Sequence, residues 1–332
     1  MREHVRIFSL SERACWTDAH REGGLPSQSW AYAHALSASG VDPKLAVVCA
    51  AGARMLLPFF ERTWSGATDI ATIFGASGAT IFPVSPAPVA LWREFAKDQG
   101  WVAGYIQLSP TLDLSSLAVD HELGTNNAVF LLDLRPTDWL RSASDTIRQK
   151  IRKVSRCATL VEDRSLAAES LKRLYPASIQ RLRARPHYHF ATETLETWAL
   201  DPESTVVAAS IGESVQAVSL FLVGGEHAEY HLNASTEIGR ELAAWLIWNA
   251  TARLRERGVT TLNLGGGVTK GDGLYMFKRR FGGVPRDLKA LRQIYDRAKY
   301  DELCRRVNAS PTARWFPAYR AAIPPAVATG EH

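Results

Sequence analysis

TTLNLGGGVTKGDGLYMFKRRFGG, from Thr260 to Gly283, passes from a strand pattern through three consecutive glycines and a polar loop to Tyr275-Met276-Phe277-Lys278. The strand is predicted over residues 261–264. Glycines let a backbone approach a ligand closely and adopt torsions that side chains resist. An aromatic ring and a lysine just beyond such a loop suit a site that holds a substrate and stabilises negative charge.

Upstream of this segment the same order of elements occurs twice. Residues 45–50 and 54–60 read as strands joined across Ala51-Gly52-Ala53, and 68–74 as a third. A helix follows over 88–99, stops at Gly100, and gives way to the alternating strand WVAGYIQL. In the second half, 205–211 and 215–223 form a hairpin around Gly212-Glu213, and 228–233 a third strand. A helix over 240–257 carries Leu242, Leu246, Ala250 and Leu254 at i+4 spacing. Gly258 ends it, and VTTLNL is the strand that follows. The repeat predicts an α/β protein of two related domains built on mixed sheets. Domain one is expected over residues 1–140, domain two over 141–309, and a Pro/Ala-rich strap over 310–332 that returns to the first domain.

The chain has 332 residues, 46% hydrophobic and 22% charged, a globular composition of two-domain size. Its longest apolar runs, from Leu45 to Ala51 and from Leu242 to Trp248, are far short of a membrane span. The first residues lack an apolar core of signal-peptide length, so the expected location is the cytoplasm. Cys15, Cys49, Cys157 and Cys304 are scattered without metal-ligand spacing and read as reduced, mostly buried thiols. His187 and His189 form an HxH with no third ligand at matching distance, so no metal is expected. No motif assigns a cofactor.

Positive charge is concentrated in one segment. From Arg141 to Arg185, twelve Lys or Arg face four carboxylates, an excess of +8 in a chain whose net charge is +5. Within it, TDWLRSASDTIRQKIRKVSR (residues 137–156) predicts a basic helix with Ile147, Ile151 and Val154 on its apolar face. Such a surface suits a phosphate-rich ligand or is a solvated face.

The blocks IRQKIRKVSR, RPHYHF, YHLNAS, GRELAAWLIWNATARLRERGVTTLNLGGG and GLYMFKRRFGG together resemble the FemABX peptidyltransferases and their relatives, which are tandem domains of the GNAT acyltransferase fold. Weaker matches lie in PSQSWAYAHAL, RMLLPFFER and IFGASGA. The resemblance implies two tandem GNAT-like domains with mixed β-sheets flanked by helices and a cleft between them. It implies amide-bond formation, with an acceptor amine attacking the ester of an aminoacyl-tRNA or, in the wider group, an acyl-CoA. It assigns Lys278 and Phe277 to catalysis. Lys278 would stabilise the tetrahedral oxyanion or the leaving 3′ hydroxyl, and Phe277 would position the tRNA terminus. It places Tyr188, Tyr230 and Arg185 in acceptor binding. Relatives often carry an aromatic and a glycine where this chain has Leu232-Asn233, so Asn233 marks an altered acceptor pocket.

For the donor, Arg148, Arg152 and Lys153 with the backbone of Gly265, Gly266 and Gly267 are the expected tRNA contacts. A CoA pyrophosphate would need a glycine-rich turn opening the central helix. STEIGRELAAW offers one glycine flanked by Glu237 and Glu241, and VSPAPVALW offers two prolines without N–H groups. The expected partners are therefore aminoacyl-tRNA and a small-molecule amine of the kind found in antibiotic pathways. An acyl-CoA donor and a non-catalytic binding module are the alternatives. Asp272, His231 and Glu229 are the general-base candidates, none with a visible activating partner.

Overall fold

The computed structural model describes residues 3–117, 119, 122–267, 271–310 and 315–321. Its contacts divide into two compact units that interleave along the chain. Unit 1 comprises residues 1–24, 40–126 and 288–332; unit 2 comprises 25–39 and 127–287. A single boundary near residue 140 therefore does not describe the contacts. The segment 25–39 leaves the first half for unit 2, and the chain past 287 returns to unit 1. Much of the expected strap lies outside the described residues.

Unit 1 begins with β1 (His4–Phe8) and α1 (Arg13–Arg21); α2 (Trp30–Ser37) belongs to unit 2. There follow β2 (Lys44–Ala50), β3 (Ala53–Trp64), β4 (Ala67–Thr72), β5 (Thr80–Phe82), α3 (Ala87–Asp98) and β6 (Ala103–Gln107). The β2–β3 and β3–β4 pairs are antiparallel, while β4 and β6 run parallel. Trp92 of α3 is fully buried against Phe59 and Trp101, which anchors the helix on the sheet.

The chain passes into unit 2 along β7 (Leu123–Asp133). Then come α4 (Asp145–Val154), β8 (Thr159–Val161), α5 (Arg164–Arg181), α6 (Thr192–Leu200), β9 (Thr205–Ile211), β10 (Ser214–Gly224) and β11 (His227–Ser235). α7 (Ala243–Glu256), β12 (Thr261–Gly266) and α8 (Gly273–Arg279) complete the unit, and β13 (Val284–Ile294) and α9 (Arg297–Arg306) follow. Strand order here is β7-β12-β11-β10-β9-β8, with β11 and β12 parallel. Strand side chains alternate between faces. One set, including Val207, Ala209, Phe221 and Leu262, shares a core with Ile147, Ile151 and Val154 of α4, with Trp245, Leu246 and Ala250 of α7, and with Tyr275 of α8. α6 packs on both α2 and α5, and α5 covers β9, β10 and β11 on the opposite set.

Both units thus contain an antiparallel three-strand run, a helix and a parallel fourth strand, as the repeat predicts. The long basic helix is shorter than expected. Ser144 accepts a hydrogen bond from the Ile147 amide and starts α4 at Asp145, while residues 139–142 form a separate 3-10 turn. That turn is held by the end of α8, because the Ser144 amide donates to the Arg280 carbonyl at 2.8 Å. Two thiols, Cys49 and Cys304, are buried, whereas Cys15 and Cys157 are exposed. Among the described residues, no helix is long and apolar enough to cross a membrane.

In unit 1, the segment 317–321 is fixed by one carboxylate. Asp69, 1% exposed, accepts from Arg62 Nε (2.6 Å), Tyr319 Oη (2.9 Å) and Arg320 Nε (2.7 Å). Removing the carboxylate leaves two guanidinium groups facing each other in a partly dry site. Asp69→Ala is expected to cost about 3 kcal/mol of unfolding free energy in urea titration. It should also open cleavage next to Arg320 to trypsin.

Candidate active site

The parallel strands β11 and β12 pair only from His227/Thr261 to Glu229/Asn263. Beyond that point β11 continues to Ser235 and β12 to Gly266 without pairing to each other. Two causes are local. On β11 an extra residue, His231, enters at a bulge, so that Phe221 opposes Tyr230 while Leu220 opposes Leu232. On β12 the register against β7 shifts between Asn263 and Gly266. Gly265 there takes φ +70°, a left-handed conformation that favours glycine. Backbone groups of two adjacent strands are thereby left without each other as partners.

Lys278 occupies this opening. α8 starts at Asp272, whose side chain accepts from the Tyr275 amide at 2.7 Å, and its turn carries Lys278 back toward β12. The ammonium donates to the Gly266 carbonyl at 2.9 Å and lies 5.9 Å from the centre of the Tyr230 ring on β11. It therefore stands between the two strands where their pairing has stopped. The residue is 8% exposed. Burial lowers its pKa from 10.5 to about 8, opposed by the charge of Asp272.

Each of the three glycines has an internal reason. A Cβ on Gly265 would stand 2.9 Å from Lys278 Nζ, one on Gly266 would strike the Ala128 carbonyl, and one on Gly267 would strike the Asp272 carboxylate. The turn is clamped from both sides. Asn263 Oδ1 accepts the Gly265 amide at 2.8 Å, and Asn127 Nδ2 of β7 donates to the Gly267 carbonyl. The carbonyls of Gly266 and Gly267 are thus engaged within the protein, and the triplet serves to seat Lys278. Asn127 and Asn263 were missed in the sequence. Asn263 had a signal, a side-chain acceptor two residues before a glycine; Asn127 had none, its partner being 140 residues away.

Tyr230 is packed against Phe221, and burial raises its phenol pKa while a hydrogen bond with Ser219 acts the other way. Ser219 also accepts from Asn233 Nδ2 at 2.9 Å. Lys278, Tyr230, Ser219 and Asn233 therefore form one polar group. Phe277 is half-buried on the same core as Tyr230 and stacks edge-on against Phe281.

Tyr188 and Arg185 are placed elsewhere. They belong to a 3-10 turn whose Tyr188 carbonyl accepts from Tyr175 Oη of α5, at 2.8 Å. His187 lies against the Tyr188 ring, and burial lowers the His187 pKa. His231 is edge-on to Trp198 and Tyr32, and burial depresses its pKa to about 3, so the ring is neutral. Glu229 is buried and accepts from Ser27 Oγ at 3.2 Å. Asp272 is engaged in capping. None of the three candidate bases thus meets Lys278 as a proton acceptor in the opening.

The basic segment is largely consumed by the fold. Arg148 donates to the carbonyls of Arg141 and Ala143 and to Asp145, Lys150 pairs with Glu241, and Lys172 with Glu169 and Glu196. Arg164 binds the carbonyls of Ala199 and Ser204. Arg152 and Lys153 are exposed, and neither forms an ion pair among the described residues.

Residues 141–279, which include Lys278, Tyr230 and Asn263 but not Asn127, match the family described as the acetyltransferase (GNAT) domain. The fold of the chain is that of FemX-like tandem GNAT proteins. FemX superposes with a TM-score of 0.65 at 14% identity, covering 90% of this chain and 99% of that one. The C-terminal domain of a putative lysylphosphatidylglycerol synthetase from Agrobacterium fabrum gives 0.56 at 18% identity, covering 92% and 99%. A tandem GNAT protein from the clavulanic acid biosynthesis pathway gives 0.50 at 14%, covering 89% and 99%. No curated protein matches the sequence.

Two outcomes follow from the site. Lys278 binds its proton less tightly folded than unfolded, so its burial destabilises the protein below pH 8. The penalty fades as pH rises from about 8 to 10.5. Lys278→Met, which conserves volume, should raise unfolding free energy at pH 7 by up to about 3 kcal/mol, since each pKa unit is worth ~1.4 kcal/mol. The gain should vanish by pH 10.5 in paired urea titrations. Asn263→Ala should release Gly265 from its left-handed turn and lower kcat by at least about tenfold, while Asn263→Asp, which keeps the acceptor oxygen, should retain more activity.

Proposed function

We propose that this acyltransferase of the GNAT fold moves an aminoacyl group from aminoacyl-tRNA to the amine of a small molecule. The observation that carries this reading is the buried Lys278, held at the mouth of the β11–β12 opening by a clamped glycine turn. An aminoacyl ester is already activated, so the site has to align the amine, manage one proton and stabilise an oxyanion. A lysine in a dry opening between two strands does the last two. Tyr230, Ser219 and Asn233 form the adjacent polar wall for the acceptor, and Phe277 supplies the half-buried ring beside it.

The start of α7 supports an ester donor over CoA. Gly239 there lies against the Gln216 carbonyl, where a Cβ would clash, and its amide donates to Thr236 Oγ1 at 3.0 Å. Glu237 and Glu241 flank it. A pyrophosphate at that helix end would meet an engaged amide and would have to compete with Glu237 and Glu241 for Arg240 and Lys150. Two of the structural neighbours agree in part. One is a putative synthetase of an aminoacylated lipid, and another belongs to a specialised-metabolite pathway. The latter protein is described in its form without AcCoA. With the GNAT acetyltransferase match, that makes acyl-CoA the second reading.

Filter binding of charged and uncharged bulk tRNA decides between them. Preference for the charged pool, with amide formed on a panel of amines, is the expected result. Equal weak binding, with amide formed only from acyl-CoA thioesters, overturns the donor assignment. Arg152→Ala/Lys153→Ala should reduce the salt slope of tRNA binding by up to about 2. Arg148→Ala should act on folding stability instead.

A further inference from the structure

The acceptor amine must lose a proton as it attacks, and the leaving oxygen must gain one. The residues that sequence offered as bases do neither. Asp272 caps α8, His231 is enclosed by Trp198 and Tyr32, and Glu229 is buried beside Ser27. What remains in the opening is the amine of Lys278 itself.

Its surroundings make the neutral amine easier to reach than for an exposed lysine. An ammonium carries three N–H donors. Among the described residues the Gly266 carbonyl is the one acceptor it reaches, at 2.9 Å. Two further N–H groups would be left in a site where the residue is 8% exposed, and such burial without partners is costly. A neutral amine carries two N–H groups, one for the same carbonyl, so one fewer donor is left over and a lone pair is free to accept a proton. The charged and titratable groups around it are few. Asp272 faces it from the start of α8 and favours the protonated form. Tyr230 of β11 presents its ring, with its hydroxyl kept protonated by burial. Tyr275 is buried on the same helix against Phe130, and Arg279 and Arg280 beyond it are exposed. No carboxylate forms an ion pair with Lys278 among the described residues.

We infer that Lys278 is the proton shuttle of the reaction, entering as the neutral amine and acting first as general base and then as general acid. The inference rests on the acyl-transfer reading above. The acceptor nitrogen attacks the ester carbonyl carbon, the N–C bond forms, and the carbonyl π pair moves onto oxygen. The proton released by the acceptor nitrogen goes to Lys278 Nζ. The ammonium so produced faces the oxyanion at the moment the oxyanion exists. When the C–O bond breaks and the carbonyl reforms, Lys278 returns that proton to the leaving 3′ oxygen. The ester becomes an amide and an alcohol, and the lysine ends as it began. Burial that brings the pKa to about 8 keeps both protonation states of Lys278 within reach at working pH.

The test is the pH dependence of kcat in single turnovers with an aminoacyl-tRNA donor and an excess of amine. Wild-type kcat should rise tenfold per pH unit below about 8 and level off above it. Lys278→Arg keeps the cation but has no lone pair to offer at these pH values. It should lose at least about 100-fold, the lower range of general acid–base contributions, with a circular dichroism spectrum matching wild type. The decisive variant is Lys278→Cys in a Cys15→Ser/Cys157→Ser background, alkylated with 2-bromoethylamine. It restores a less basic amine at the same reach, so activity should return with the rising limb moved to lower pH. A pH-independent kcat, an active Lys278→Arg, or a restored enzyme with an unmoved limb each overturns the shuttle. Absence of amide from wild type at every pH would instead overturn the acyl-transfer reading on which it rests.

Discussion

A parallel strand pair that stops pairing partway along its length must account for the backbone groups it exposes, and the two units do so in opposite ways. In unit 1, β4 and β6 pair at Ile70/Gly104 and Ala71/Tyr105, and the gap beyond is then closed. Thr72 Oγ1 accepts the Gln107 amide at 2.9 Å and donates to the Tyr105 carbonyl, while Ala79 docks by its amide on the Gln107 carbonyl at 2.7 Å. Gly78 is flush against that same carbonyl, where a Cβ would stand 2.7 Å away. In unit 2 the corresponding gap after Glu229/Asn263 is bridged differently. A lysine from α8 enters it, and two asparagines hold the turn that receives the lysine. The same architectural gap is therefore closed by backbone and hydroxyl contacts in one unit and occupied by a buried lysine in the other.

Holding Lys278 there is unfavourable for folding, and the neighbourhood shows how the fold sustains it. Asp272 both starts α8 and supplies a negative charge that favours the ammonium, so a single side chain couples the helix boundary to the lysine's protonation. Gly265 in its left-handed turn lets the ammonium come close to the backbone. Tyr275, from the same short helix, is buried edge-on against Phe130 at 4.8 Å and anchors α8 to the core. So short a helix would not stay helical by propensity; the cap at one end and this aromatic contact along its face keep the lysine aimed.

The alternating and i+4 patterns of the duplicated core were legible because their apolar residues are large and regularly spaced. The strands β2, β3, β9 and β10, the helix α7 and the stop at Gly258 all read directly. α5 was not read, because the face it buries mixes Ala167, Ala168, Ser170 and Ser178 with Leu171, Leu174, Tyr175 and Ile179, which weakens its amphipathic contrast. β7 hides its register behind Thr125 and two asparagines, and β13 behind four charged residues. α8 reads as a loop or amphipathic strand, since its one strong signal is the Asp272 cap before Gly273. The assignment of 25–39 to unit 2 has no local signature at all. It depends on contacts such as Trp198 Nε1 to the Tyr32 carbonyl, 166 residues apart.

Charge shows the same division between what a sequence displays and what a fold leaves available. The excess of +8 between Arg141 and Arg185 suggested a broad cationic surface. In the folded chain, Arg148 and Arg164 bind carbonyls, as does Arg173, which reaches Val215, while Lys150, Lys172 and Arg181 pair with carboxylates. These contacts organise helix ends and join helices to strands. The cations left exposed without such partners include Arg152 and Lys153 on α4 and Arg156 just beyond it, with Arg279 and Arg280 at the end of the helix that carries Lys278. The Ser144–Arg280 hydrogen bond brings the start of α4 against the end of α8. A polyanion drawn to these groups would be guided along α4 toward the lysine. Position relative to Lys278, and not total charge, is therefore the property that this surface offers to a polyanion.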